Sequence, residues 1–206
     1  MPTSKKNHPC KNQQQLEQCW QFLLPAFDFF LSPQPAGKAK VLDGLATIWQ
    51  ELPAVAKGRQ DDARLLETFI TLQELLADYC GPLCVMTTVL AKKTGLPPLL
   101  VGMHLLPAYT GLLFAPAEKH LVRLTDALDT YRLPGMTLPA LKALWLEKLD
   151  LRMSFYGETQ LAPLPDRTIL AVAKEIMELL PKDLLLRDFK EIEIVAILQS
   201  SLSKIA

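Results

Sequence analysis

The sequence predicts an all-α protein, an irregular or orthogonal bundle of seven to nine helices, with room for one minor β-hairpin near 98–115. Apolar residues return at three- and four-residue steps in stretch after stretch, while strand-like alternation is nearly absent. Prolines, 16 in all, interrupt that pattern too often for a regular four-helix bundle. Composition agrees: the 206 residues are 50% hydrophobic, leucine is about a fifth of the chain and glycines number only 9, which argues against disorder and glycine-rich phosphate loops.

The first helix is expected over 13–31, where Leu16, Trp20, Leu23, Phe27 and Phe30 share a face and Pro25 introduces a kink. After Pro33, Pro35 and Gly37 break the chain, Val41, Leu45, Ile48, Trp49 and Leu52 resume the period up to Pro53. Asp61 and Asp62 stand where a helix amino terminus favours negative charge, and Leu65, Phe69, Leu72, Leu76 and Tyr79 follow as one stripe. A short helix is expected from Leu83 to Lys93, and the hairpin, if formed, would use Leu99 to Leu106 and Tyr109 to Ala115. Helical period returns over 118–131. Thr137 is placed to cap a helix bearing Leu141, Trp145, Leu149 and Met153, and Asp166 to cap one bearing Ile169, Val172, Ile176 and Leu180. A last helix is expected to start near Asp183. Residues 1–12 read as a flexible polar arm and 13–206 as one helical domain.

Lys+Arg 22 balances Asp+Glu 22, so no global field attracts nucleic acid or anionic membrane. The polar amino terminus lacks the pattern of a signal peptide, and four cysteines at 10, 19, 80 and 84 are too few and too uneven for a disulfide scaffold. A cytoplasmic location is therefore expected. Thr94 to Ala117 carries no charge and is long enough at ~1.5 Å per residue to span a bilayer. Its four prolines and the basic residues on both flanks favour a core element or partner groove over membrane insertion.

Five features bear on chemistry. Cys80-Gly81-Pro82-Leu83-Cys84 places a thiol beside a helix start, yet its three intervening residues depart from the two of the familiar dithiol motif, so both cysteines are expected as inert packing residues. A zinc set of His8, Cys10, Cys80 and Cys84 has poor spacing. Residues 87–106 have the spacing of a helix-turn-helix, but the second helix offers nothing polar except His104 and is read as a tight corner. His120, near a helix start, is expected to be exposed. The carboxylate pairs Asp61/Asp62, Asp126/Asp129 and Glu191/Glu193 read as solvated surface.

No metal, cofactor or catalytic set emerges. The chain is therefore expected to be a non-catalytic adaptor, chaperone-like protein or assembly subunit that docks a protein partner in a larger complex. That surface would comprise Leu185, Phe189, Ile192, Ile194, Ile197 and Leu198, because the last helix is apolar almost all round. Two alternatives remain: a subunit of a nucleic-acid-handling assembly using Lys38, Lys40, Lys57, Arg59 and Arg64, and a small thiol enzyme built on Cys80 and Cys84.

Overall fold

Each helical stripe read from the sequence becomes a helix, and no strand occurs among the described residues. The computed structural model describes residues 11–34, 36–58, 63–128, 135–156, 161–185 and 187–202. In chain order the helices are α1 (Lys11–Leu31), α2 (Lys38–Ala56), α3 (Ala63–Leu76), α4 (Pro82–Thr94), α5 (Pro98–Leu113), α6 (Glu118–Ala127), α7 (Leu138–Met153), α8 (Asp166–Leu179) and α9 (Glu191–Leu202). Short 3-10 turns occupy Ser154–Tyr156 and Lys182–Leu184. The arm expected over 1–12 falls largely outside the described residues, as do Asp61 and Asp62, although Lys11 and Asn12 already belong to α1.

Helix α1 is the organising element and packs against α2, α3, α4 and α5. Its stripe delivers Trp20, Leu23, Phe27 and Phe30 to the interior, all fully buried. Phe27 meets Trp49 of α2 and Trp145 of α7 edge-on, at ring-centroid distances of 6.0 and 5.6 Å, and the two indoles stack at 5.9 Å. Such edge-to-face and offset geometry matches the quadrupoles of the rings. The buried indole of Trp145 donates to Thr110 Oγ1 at 3.0 Å, so its polar end is satisfied.

The segment 98–115 forms no hairpin; it is helix α5 from Pro98 to Leu113. A fully buried helix and a buried strand share the same unbroken apolar run, so periodicity alone does not separate them. Here α5 packs against α1, α4, α7 and α9, which explains why no face of it is polar. Gly95, with φ 72°, closes α4 in the left-handed region, and Pro98 starts α5 at a position where a missing N–H costs nothing. This is the tight corner expected over 87–106. No helix among the described residues is long and apolar enough to cross a membrane.

The last helix begins at Glu191 rather than near Asp183. Lys190 stands just before it, and its backbone N–H donates to Glu193 Oε2 at 2.8 Å, half of a capping box that fixes the start. Thr137 and Pro165 occupy the cap positions of α7 and α8 without a side-chain cap bond, and Asp166 lies one residue inside α8.

Candidate functional site at the amino terminus of helix α4

A helix that starts with Gly-Pro has no side chain of its own to receive its first N–H groups. In α4 that role falls to Asp28, 55 residues earlier on α1. Its Oδ2 accepts the backbone N–H groups of Leu83 (3.0 Å) and Cys84 (3.3 Å), and its Oδ1 accepts the Tyr109 hydroxyl of α5 at 2.7 Å. One buried carboxylate thus ties three helices together. Burial drives its pKa up from the usual carboxylate range to about 7, against the pull of Tyr109 and the two N–H donors. Burial likewise raises both Tyr109 and Tyr79, with the charge of Asp28 adding to each. Gly81 is obligatory for space: a Cβ there would stand 2.1 Å from the Tyr79 hydroxyl and 2.5 Å from Asp28 Oδ2.

Beside this knot lies a cavity of about 650 Å³, walled by α1, α4 and the turn into α5. Leu24, Pro25, Leu83 and Leu99 give it apolar sides, while Glu17, Gln21, Cys84, Thr87, Thr88 and Tyr156 give it polar ones. The Tyr156 hydroxyl donates to Glu17 Oε1 at 3.2 Å. A mostly apolar pocket with a few convergent polar groups suits a small organic molecule bearing a polar head. A second cavity of about 1000 Å³ between α5, α7 and α9 is edged by His104, Lys142, Glu147, Asp150 and Glu193.

The residues singled out in the sequence are dispersed. Phe189, Ile194, Ile197 and Leu198 are buried within this chain's own core, Leu185 is half-buried, and only Ile192, 73% exposed, faces solvent. Lys40, Lys57 and Arg64 are exposed and Arg59 lies outside the described residues. Lys38 is buried: it donates to the Ser32 carbonyl and sits 3.0 Å from His120 Nε2, and burial, aided by Arg123, lowers its pKa to about 8. That contact makes His120 half-buried rather than exposed. His8 and Cys10 fall outside the described residues. Cys80 is exposed, so it is no packing residue, and its Sγ lies 2.8 Å from that of Cys84.

No known family model matches the sequence, and no curated protein does. Solved structures do match. The alcohol dehydrogenase from Oenococcus oeni superposes with a TM-score of 0.78 at 14% identity, over 92% of this chain and 52% of that one. A 1,3-propanediol oxidoreductase gives a TM-score of 0.71 at 17% identity, over 94% of this chain and 53% of that one. The iron-containing alcohol dehydrogenase from Corynebacterium glutamicum gives 0.67 at 16%, over 93% and 52%. The chain has the fold of about half of an alcohol dehydrogenase.

These neighbours overturn the reading of a non-catalytic adaptor or assembly subunit, since the proteins that share the fold are named as oxidoreductases. Most of the apolar residues on which that reading stood are buried inside the chain: α5 and α8 pack on the last helix and bury Ile194, Ile197, Leu198 and Leu202, while Ile192 stays exposed. The nucleic-acid and thiol-enzyme alternatives fare no better against the same neighbours.

One neighbour's name includes iron, and the residues here do not fit that ion. No group of three or more His, Cys, Asp or Glu able to hold a metal exists among the described residues. The residues lining the cavity offer one carboxylate, Glu17, one thiol, Cys84, and no imidazole, too few ligands for an iron site. His120 is engaged with Lys38 and His104 edges the other cavity.

Proposed function

We propose that this chain is an oxidoreductase-type helical unit that binds a small hydroxy or carbonyl compound in the cavity between α1, α4 and α5. The observation that carries the reading is the cavity itself, which combines apolar walls with Glu17, Gln21, Thr87, Thr88 and Tyr156 in a fold shared with alcohol dehydrogenases. The chain spans about half the length of those neighbours. Oxidising an alcohol to a carbonyl passes a hydride to an acceptor such as an oxidised nicotinamide nucleotide and releases the hydroxyl proton; the reverse takes a hydride from the reduced nucleotide and takes up a proton. Glu17, already an acceptor for Tyr156, is the carboxylate placed to take the hydroxyl proton. We further place the protein in the cytoplasm, a reading supported by the free thiols of Cys19, Cys80 and Cys84.

The test uses the purified full chain with 1,3-propanediol, short alcohols and dicarboxylic keto acids, with and without nicotinamide nucleotide. Calorimetry should detect binding of at least one compound class, abolished by Thr87→Trp, which fills the cavity. Turnover should be followed as nucleotide absorbance and should fall in Glu17→Gln. Binding that Thr87→Trp leaves intact would remove the cavity from the proposal, and binding without turnover under any condition would remove the enzymatic part.

A further inference from the structure

The cavity mouth holds a second chemical feature, independent of what the cavity binds. The Cys80 thiol is directed at Cys84 Sγ, 2.8 Å away, and neither cysteine is bridged. We propose that Cys80 and Cys84 are a reversible modification site, a dithiol that closes to a disulfide on the rim of the α1/α4/α5 cavity. It is a site of modification and not a thiol oxidoreductase activity. A disulfide needs an S–S distance of about 2.05 Å, so closure asks the sulfurs to move together by less than about 1 Å.

The two sulfurs have different roles because they sit in different places. Cys80 is exposed and lies outside the helices, between α3 and α4, where no helical hydrogen bonding fixes its backbone. Cys84 is in the first turn of α4, its N–H held by Asp28, and its side chain forms part of the cavity wall. Cys80 is exposed and meets the oxidant first, whereas Cys84 is half-buried, and burial together with the adjacent Cys80 raises its pKa. With a low-molecular-weight disulfide such as oxidised glutathione as oxidant, the Cys80 thiolate attacks one glutathione sulfur and expels one glutathione thiolate. Cys84 then surrenders its proton and attacks Cys80 Sγ, expelling the second glutathione. The protein loses two electrons and two protons, and one glutathione disulfide becomes two glutathione thiols. Closure ties Cys80 to the cavity wall and removes the Cys84 thiol that lines it.

The experiment treats the full chain, carrying Cys10→Ser, with oxidised glutathione and reads intact mass and peptide alkylation. The expected product is lighter by two hydrogen atoms, carries no glutathione, has lost alkylation at Cys80 and Cys84 together, and reverts with dithiothreitol. Before oxidation, Cys19, fully buried, should alkylate at least about tenfold more slowly than Cys80. With Cys84→Ser the reaction should stop at a stable glutathione adduct on Cys80, and circular dichroism establishes that this variant is folded. A parent protein that ends as a glutathione adduct, or that stays fully alkylatable, would overturn the proposal without recourse to any variant.

Discussion

The amino terminus of α4 is held by a carboxylate from another helix, whereas that of α9 is held by a carboxylate of its own first turn. Asp28 accepts two N–H groups of α4 and the Tyr109 hydroxyl in a site that is 1% exposed. Glu193 accepts the N–H of Lys190 at 2.8 Å and the guanidinium of Arg187 at 2.8 and 3.1 Å, near solvent. The two groups shift in opposite directions. Burial raises Asp28 to about 7, while the hydrogen bonds from Arg187 and Lys190 hold Glu193 below the ordinary range. The lesson is that the capping bonds favour the charged carboxylate at both helices, and the water lost at Asp28 outweighs them while the water kept at Glu193 does not.

Breaking the buried cap should have the largest effect. Asp28→Ala orphans two helix N–H groups and a buried tyrosine hydroxyl, and relief of the carboxyl's own desolvation offsets only part of that loss. Unfolding in urea should show a cost of about 3–5 kcal/mol. A loss below about 1 kcal/mol would mean that water replaces Asp28 and that the knot does not hold α4 in place.

The second prediction concerns pH. An unfolded aspartate loses its proton near its model value of 3.8, while native Asp28 keeps its proton up to about 7. Between those values the native state binds more protons than the unfolded state, so this residue's contribution falls as pH rises and is flat above about 7. The change amounts to a few kcal/mol, an order-of-magnitude figure. Comparing Asp28→Asn with the parent protein from pH 4 to 7 should show that downward slope in the parent alone. Equal slopes would mean that Asp28 is ionised throughout.

Much of the fold was legible in the sequence, because burial on one face imposes a 3.6-residue period that α1, α2, α3, α7 and α8 display openly. What periodicity missed was α5, whose apolar residues point everywhere because four helices surround it. The site was far less legible. Asp28 reads in the sequence only as a charge interrupting an oily helix, and the partners that give it meaning, Leu83, Cys84 and Tyr109, lie 55 to 81 residues away. A lone carboxylate between Phe27 and Phe29 was the available signal. Glu17 and Tyr156 meet across 139 residues, a separation no local pattern encodes. The cysteine pair was visible as spacing, but its exposure was not.

Gly81 sharpens the comparison from the steric side. Because a side chain there would collide with both Asp28 and the Tyr79 hydroxyl, Gly81→Ala should cost about 1–3 kcal/mol through forced displacement of the buried pair. The penalty should shrink when Asp28→Ala is already present, since one of the two obstacles is gone. A cost that is identical in both backgrounds would place the strain at Tyr79 alone.

The smallest effect belongs to the solvent-facing cap. Glu193→Gln keeps an oxygen for the Lys190 N–H but gives up the charge that Arg187 grips with two nitrogens. Partial exposure screens that pair, so the cost should be about 0.5–1 kcal/mol. Its sign with pH is the reverse of that for Asp28: a lowered native pKa gives stability that is complete above the unfolded carboxyl range and lost as pH falls through the native value. The parent protein should therefore lose stability in acid relative to Glu193→Gln, and high salt should narrow the gap at neutral pH, because mobile ions reach this pair. The difference between the parent and Asp28→Asn, arising where ions do not penetrate, should hardly change. If salt erased the Asp28 difference and spared that of Glu193, burial would no longer explain why two carboxylates with one capping role respond in opposite ways.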